Sequence, residues 1–133
     1  MDEGTLPVAE AQIFAMGDCL LVAIQEDLDD RMVIALQERL TERIARTGVR
    51  GVLIDISALE VVDTFIGRTL ANIARMARVL GAVSVLVGMR PAVAITLVEL
   101  GMRLEEVRTA LDVDRGLRLI RRLVDGAGPG HGR

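Results

Sequence analysis

Thr64 is the hydroxyl in this sequence whose setting could support chemistry. It stands in Val62-Asp63-Thr64-Phe65-Ile66-Gly67, after an apolar run from Gly51 to Ser57 and before a helical pattern that reaches Leu80. Asp63 is placed to cap that helix, so Thr64 would be its first residue with its hydroxyl at the surface. A phosphate on a helix's first residue can accept the free N–H groups and is favoured by the dipole. A phosphoryl group is therefore a modification that this position could carry, and the plainer reading of the same residues is that Thr64 only supports the helix start, with Asp63 as a simple cap.

Other reactive types are scarce. The 133 residues contain no Lys, Tyr or Trp, so every basic side chain is Arg. A P-loop lysine or a Schiff-base lysine is impossible. Ser occurs at Ser57 and Ser84 only, and the one His, His131, lies in a Gly-rich tail, which argues strongly against a Ser-His pair in a folded pocket. No Cys/His cluster has metal spacing, and no metal or other cofactor is expected. Cys19 is the single cysteine, so no internal disulfide can form, and a small core residue is its simplest role. Asp55, in the apolar run, resembles the acceptor of a receiver domain. That chemistry needs an acidic pair and a lysine, so bonding of loop amides is the better reading.

The elements that must position Thr64 follow from periodicity. Gln12 to Met16 and Cys19 to Ile24 are short apolar runs split by Gly17-Asp18, a hairpin signal. Gln25 to Asp30 is an acidic loop whose Asp29 or Asp30 can cap a first helix, Arg31 to Arg46. Val33, Leu36, Leu40 and Ile44 form its inward stripe, and Gly48 closes it. Gly51 to Ser57 shows little alternation, as a strand covered on both faces should.

In the second helix Ile66, Leu70, Ile73, Ala77 and Leu80 lie on one side. Phe65, Arg68, Asn72 and Arg75 lie on another, open to a partner. Ala82 to Gly88 reads as a strand, and Pro91 suits the first turn of a third helix. That helix, Ala92 to Leu100, is apolar nearly all round. Either it is buried on both sides within the domain or part of it meets another subunit. Val107 to Ala110 could add a short strand, and Asp112 caps a last helix with Val113, Leu117, Ile120 and Val124 inward.

The expected architecture is a single α/β domain over residues 12–124, with a mixed, mostly parallel sheet, an N-terminal hairpin and about four helices. Residues 1–11 form an N-terminal extension and 125–133 a flexible Gly-rich tail. The net charge of -3 and two Phe as the only aromatics argue against nucleic-acid binding. No apolar run approaches about 20 residues, and the acidic N-terminus lacks a signal peptide's features. A soluble, cytoplasmic protein with no direct membrane insertion is expected.

Three stretches resemble the STAS family, named for sulfate transporters and anti-sigma-factor antagonists. They are Val52-Leu53-Ile54-Asp55-Ile56-Ser57, Val62-Asp63-Thr64-Phe65-Ile66-Gly67 and Gly88-Met89-Arg90-Pro91. Cys19 to Gln25, Leu28-Asp29-Asp30 and Arg90 to Gly101 resemble, more narrowly, the single-domain stressosome scaffold subunits of the RsbS type. The resemblance covers about residues 12 to 122. It implies a non-enzymatic scaffold that co-assembles with sensory RsbR-like paralogues in a large hetero-oligomer. It also implies an RsbT-like serine/threonine switch kinase that phosphorylates the scaffold and leaves, and a PP2C-like phosphatase that resets it. The acceptor maps onto Thr64; the scaffold type usually has Ser there and the sensory paralogues Thr. Asp30 stands where those paralogues can carry a second acceptor. Asp29, Asp30, Asp63, Phe65, Ile66, Arg68 and Arg90 are the candidate partner contacts, Arg90 being otherwise a helix start. Two alternatives remain: a free-standing STAS subunit of a lipid or anion transporter, and a nucleotide-binding STAS regulator.

Overall fold

The computed structural model of the chain describes residues 12–101 and 107–126. The expected extension at 1–11 and the tail beyond residue 126 lie outside them. Strand β1 (Ile13–Met16) turns at Gly17, whose φ of 61° is open to glycine without strain, into β2 (Cys19–Ala23). Helix α1 (Asp30–Thr47), β3 (Gly51–Asp55) and α2 (Thr64–Val79) follow. Then come β4 (Val83–Val87), α3 (Pro91–Glu99), β5 (Arg108–Ala110) and α4 (Val113–Gly126). The last helix therefore takes in Asp125 and Gly126, which sequence reasoning gave to the tail.

The sheet runs β1-β2-β3-β4-β5, with β1 antiparallel to β2 and every other neighbouring pair parallel. Side chains alternate across it, as a strand's period of two requires. Val52 and Ile54 of β3 join the larger core with Leu36, Leu40, Leu70 and Ile73, under α1, α2 and α3. Leu53 instead joins Val85, Val87 and Ile120 under α4 on the opposite face. Both faces of β3 are thus covered, which is why its sequence runs apolar without alternation. Helix α4 approaches closely through Gly116, where an added Cβ would lie 2.6 Å from Leu53 Cδ2 and 2.8 Å from Val87 Cγ1.

The caps anticipated from sequence are in place. Asp29 Oδ1 accepts the Met32 amide at 2.9 Å, and Asp112 Oδ1 accepts the Arg115 amide at 2.9 Å. Gly48, at φ 70°, donates its amide to Ile44 O and ends α1. An expectation about α2 needs correction. Leu80 is exposed and does not continue the inward stripe of α2, because the helix ends at Val79. Of the two alternatives for helix α3, burial on both sides within the chain is excluded: Val93 and Leu97 are inside, whereas Ile95 and Val98 are each more than 60% exposed (61% and 62%). A nine-residue helix lying on one sheet face can bury only one stripe.

Candidate functional site

Parallel strands place the ends of β2, β3 and β4 side by side, so the loops after them converge at one edge of the sheet. The loop after β3 carries Thr64. Asp63 is extended, with φ −111° and ψ −176°, and its Oδ1 accepts the Ile66 amide at 2.9 Å. Its carbonyl accepts the Gly67 amide at 3.0 Å. Thr64 is then the first helical residue, and it is exposed. The amides of Thr64 and Phe65 are in the turn where a helix offers no acceptor of its own.

Helix α2 is set down by Ile66, Leu70 and Ile73, all in the core. Ile66 therefore takes the inward place that its spacing with Leu70 and Ile73 predicts, and not the partner contact also expected of it. It is 6% exposed and anchors the helix from beneath, because it shares the inward stripe with Leu70 and Ile73. Phe65 is half-buried against the same core and keeps one side open. Arg68, one turn after Thr64, is exposed. Thr69 is buried and its hydroxyl donates to Phe65 O at 2.9 Å, which ties the first turn to the second.

The neighbouring loops are joined by contacts that sequence reasoning missed. Glu26 Oε2, in the loop after β2, accepts the Glu60 amide at 2.7 Å. Arg90, at the start of α3, donates from Nε to Ser57 O at 3.2 Å, and its Nη1 lies 3.8 Å from Glu60 Oε2. Arg90 therefore braces the β3–α2 loop and provides no side-chain cap to its own helix. These partners lie 30 or more residues apart in sequence, and no local pattern marks them. Asp29 and Asp30 are exposed at the same edge, but no hydrogen bond or ion pair among the described residues joins either to Thr64.

Asp55 plays the structural part expected of it. Its Oδ1 accepts the Ser57 amide at 3.0 Å and shapes the exit from β3. Gly88 makes room for this turn. It holds φ 77°, and an added Cβ would meet Ser57 Cβ at 2.9 Å and Asp55 Oδ1 at 3.0 Å. Cys19 is buried at the opposite end of the sheet. Burial, and then Asp18, push its thiol pKa up, so it is a poor nucleophile there. Among the described residues no cluster of His, Cys, Asp and Glu is arranged to hold a metal ion, and no helix is long and apolar enough to cross a membrane.

Fold and site together define an α/β domain whose loops form one exposed face at the carboxyl edge of a mixed sheet, centred on a capped helix start. The STAS domain family matches residues 11–116, and the chain belongs to that family. The RsbS protein of Moorella thermoacetica, in a serine-to-glutamate form, is similar in structure with a TM-score of 0.77 at 45% identity, over 85% of this chain and 98% of that one. A structure of the molecular architecture of the stressosome, a signal integration and transduction hub, gives a TM-score of 0.76 at 46% identity, over 84% of this chain and 97% of that one. The RsbT co-antagonist protein RsbRA of Bacillus subtilis (strain 168) is 30% identical over 98 residues, which are 74% of this chain and 36% of that protein. The chain thus spans about a third of the length of that relative.

Proposed function

We propose that this chain is a stressosome scaffold and anti-sigma-factor antagonist. It has no catalytic activity of its own, binds a serine/threonine switch kinase, and releases it when Thr64 is phosphorylated. The likeness to RsbS and stressosome chains over nearly their whole length carries the scaffold role. Similarity to RsbRA supports sensory RsbR-like paralogues as partners in one hetero-oligomer. An RsbT-like kinase and a PP2C-like phosphatase complete the cycle.

The geometry gives the switch a physical basis. A phosphate on Thr64 would sit at the positive end of α2, beside the first-turn amides of Thr64 and Phe65. Arg68, four residues on, shares that face of the helix. Modification would therefore leave the helix intact. It would also add about −1.5 to −2 charges next to Asp63 and at the same edge as Glu60, Asp29 and Asp30. A kinase surface fitted to the open side of Phe65 and to this acidic edge would meet like-charge repulsion.

Titration of the kinase with three forms of the protein tests the switch. Thr64→Ala binds like the unmodified chain and cannot be released, whereas Thr64→Asp and the phosphorylated protein bind about ten-fold or more weakly. Equal affinity of the phosphorylated and unmodified forms is incompatible with a release mechanism.

A further inference from the structure

We propose that the outward face of α3 is a self-association surface, on which a second copy of this chain packs its own α3 antiparallel across a two-fold axis. The inference deepens the scaffold reading and rests on it for its place in the particle: it names one surface by which such a subunit meets its neighbour. The other helices turn charge to solvent, α1 through Glu38, Glu42 and Arg46, α2 through Arg68, and α4 through Arg118 and Arg122. Helix α3 instead turns out Pro91, Ile95 and Val98, which share one stripe at i, i+4 and i+7, opposite the buried Val93 and Leu97. Its one uncharged polar side chain needs no water, because the Thr96 hydroxyl donates to Ala92 O at 3.0 Å. Single exposed apolar side chains are ordinary on any protein. An uncharged stripe along a whole helix is what the middle of a subunit interface looks like.

The spacing identifies the occupant. A two-fold contact must be complementary to itself. With an axis between Ala94 and Ile95, the middle of this nine-residue helix, Ile95 of each copy meets the small Ala94 of the other. Pro91 then lies opposite Val98. The charges of the helix stand at its two ends, Arg90 at the N-cap and Glu99 as the last residue. Antiparallel pairing sets the Arg90 end of one helix beside the Glu99 end of the other, which also pairs opposite ends of the two helix dipoles. Glu99 forms no ion pair among the described residues. The contact is only about 14 Å long, so two isolated chains should dissociate in the micromolar range. Many copies in one particle would strengthen it through effective concentration.

Sedimentation equilibrium of the full chain, from micromolar to millimolar concentration, tests the surface. A monomer–dimer equilibrium is expected. Ile95→Asp should weaken it ten-fold or more and leave the unfolding midpoint of dilute protein unchanged, whereas Ile34→Asp, at an exposed apolar residue of α1, should leave the dimer as it is. In a Cys19→Ala background, Ile95→Cys should cross-link to itself with diamide far more readily than Val98→Cys, which stands farther from the axis. A chain that stays monomeric throughout, or a dimer indifferent to Ile95→Asp, overturns the proposal. So does a monomer that needs Ile95 only to join an RsbR-like paralogue, a result that gives the face to the paralogue. Failure of the scaffold reading looks different: the dimer forms as expected, but the unmodified chain does not co-assemble with that paralogue.

Discussion

Asp63 Oδ1 accepts the Ile66 amide at 2.9 Å, and this one bond fixes where α2 begins. It leaves Thr64 as the first helical residue and exposed, on a helix whose Ile66 and Leu70 are buried. The cap satisfies one first-turn amide and leaves those of Thr64 and Phe65 available to a phosphate. Asp63→Ala should therefore cost about 1 kcal/mol of stability, and Asp63→Ser much less. Urea unfolding of the three proteins gives the values. An unchanged midpoint in Asp63→Ala would show that the tertiary contacts of α2, and not the cap, set its start.

Gly88 and Gly48 both have positive φ, but their surroundings differ. At Gly48 (φ 70°) an added Cβ meets nothing within 4 Å, whereas at Gly88 it meets Ser57 and Asp55. Gly48→Ala should cost about 1–2 kcal/mol, the strain of a left-handed residue with a side chain. Gly88→Ala carries that strain plus about 1–3 kcal/mol of overpacking, and it should also disturb the Asp55–Ser57 turn. Denaturant midpoints compare the two directly, and equal losses would refute the crowding assigned to Gly88.

Neighbouring residues of α3 should behave in opposite ways. Leu97 is fully buried, so Leu97→Ala should cost about 2–5 kcal/mol. Ile95, 61% exposed, should tolerate Ser within about 0.5 kcal/mol in the isolated chain. The contrast is read from thermal unfolding of dilute protein.

The Arg115 amide bonds the Asp112 carboxylate and, with the Arg115 side chain, holds its carboxyl below the usual range. A depressed folded pKa gives stability that is present above the unfolded value and lost as pH falls through the folded one. Asp112→Asn keeps a capping acceptor but cannot titrate. The advantage of the wild type over this variant should be present at pH 7 and shrink below about pH 4. Unfolding midpoints at pH 7, 5 and 3 measure it. Asp112 is solvent-exposed, so added salt should reduce the effect.

Local signals carried most of the fold. Carboxylates at Asp29, Asp63 and Asp112 announced three helix starts, Gly48 a helix end, and Gly17-Asp18 the hairpin, because each acts within a few residues. The unbroken apolar run of β3 announced a strand covered on both faces. The position of Thr64 was legible for the same reason. Bracing of its loop by Glu26 and Arg90 was not, since those contacts depend on β2, β3 and β4 lying side by side. Periodicity set Ile66 on the stripe of Leu70 and Ile73, where it lies, but it could not show that Ile95 and Val98 of the apolar α3 lie open.

Phosphosite mapping by mass spectrometry, on the protein isolated from its cells before and after stress, tests the central claim most directly. The switch predicts phosphate on Thr64 that rises with stress and falls on recovery. Full coverage of the Thr64 peptide without phosphate under any stress that activates the response would contradict it, and would leave a scaffold that holds its partners without a switch at this residue.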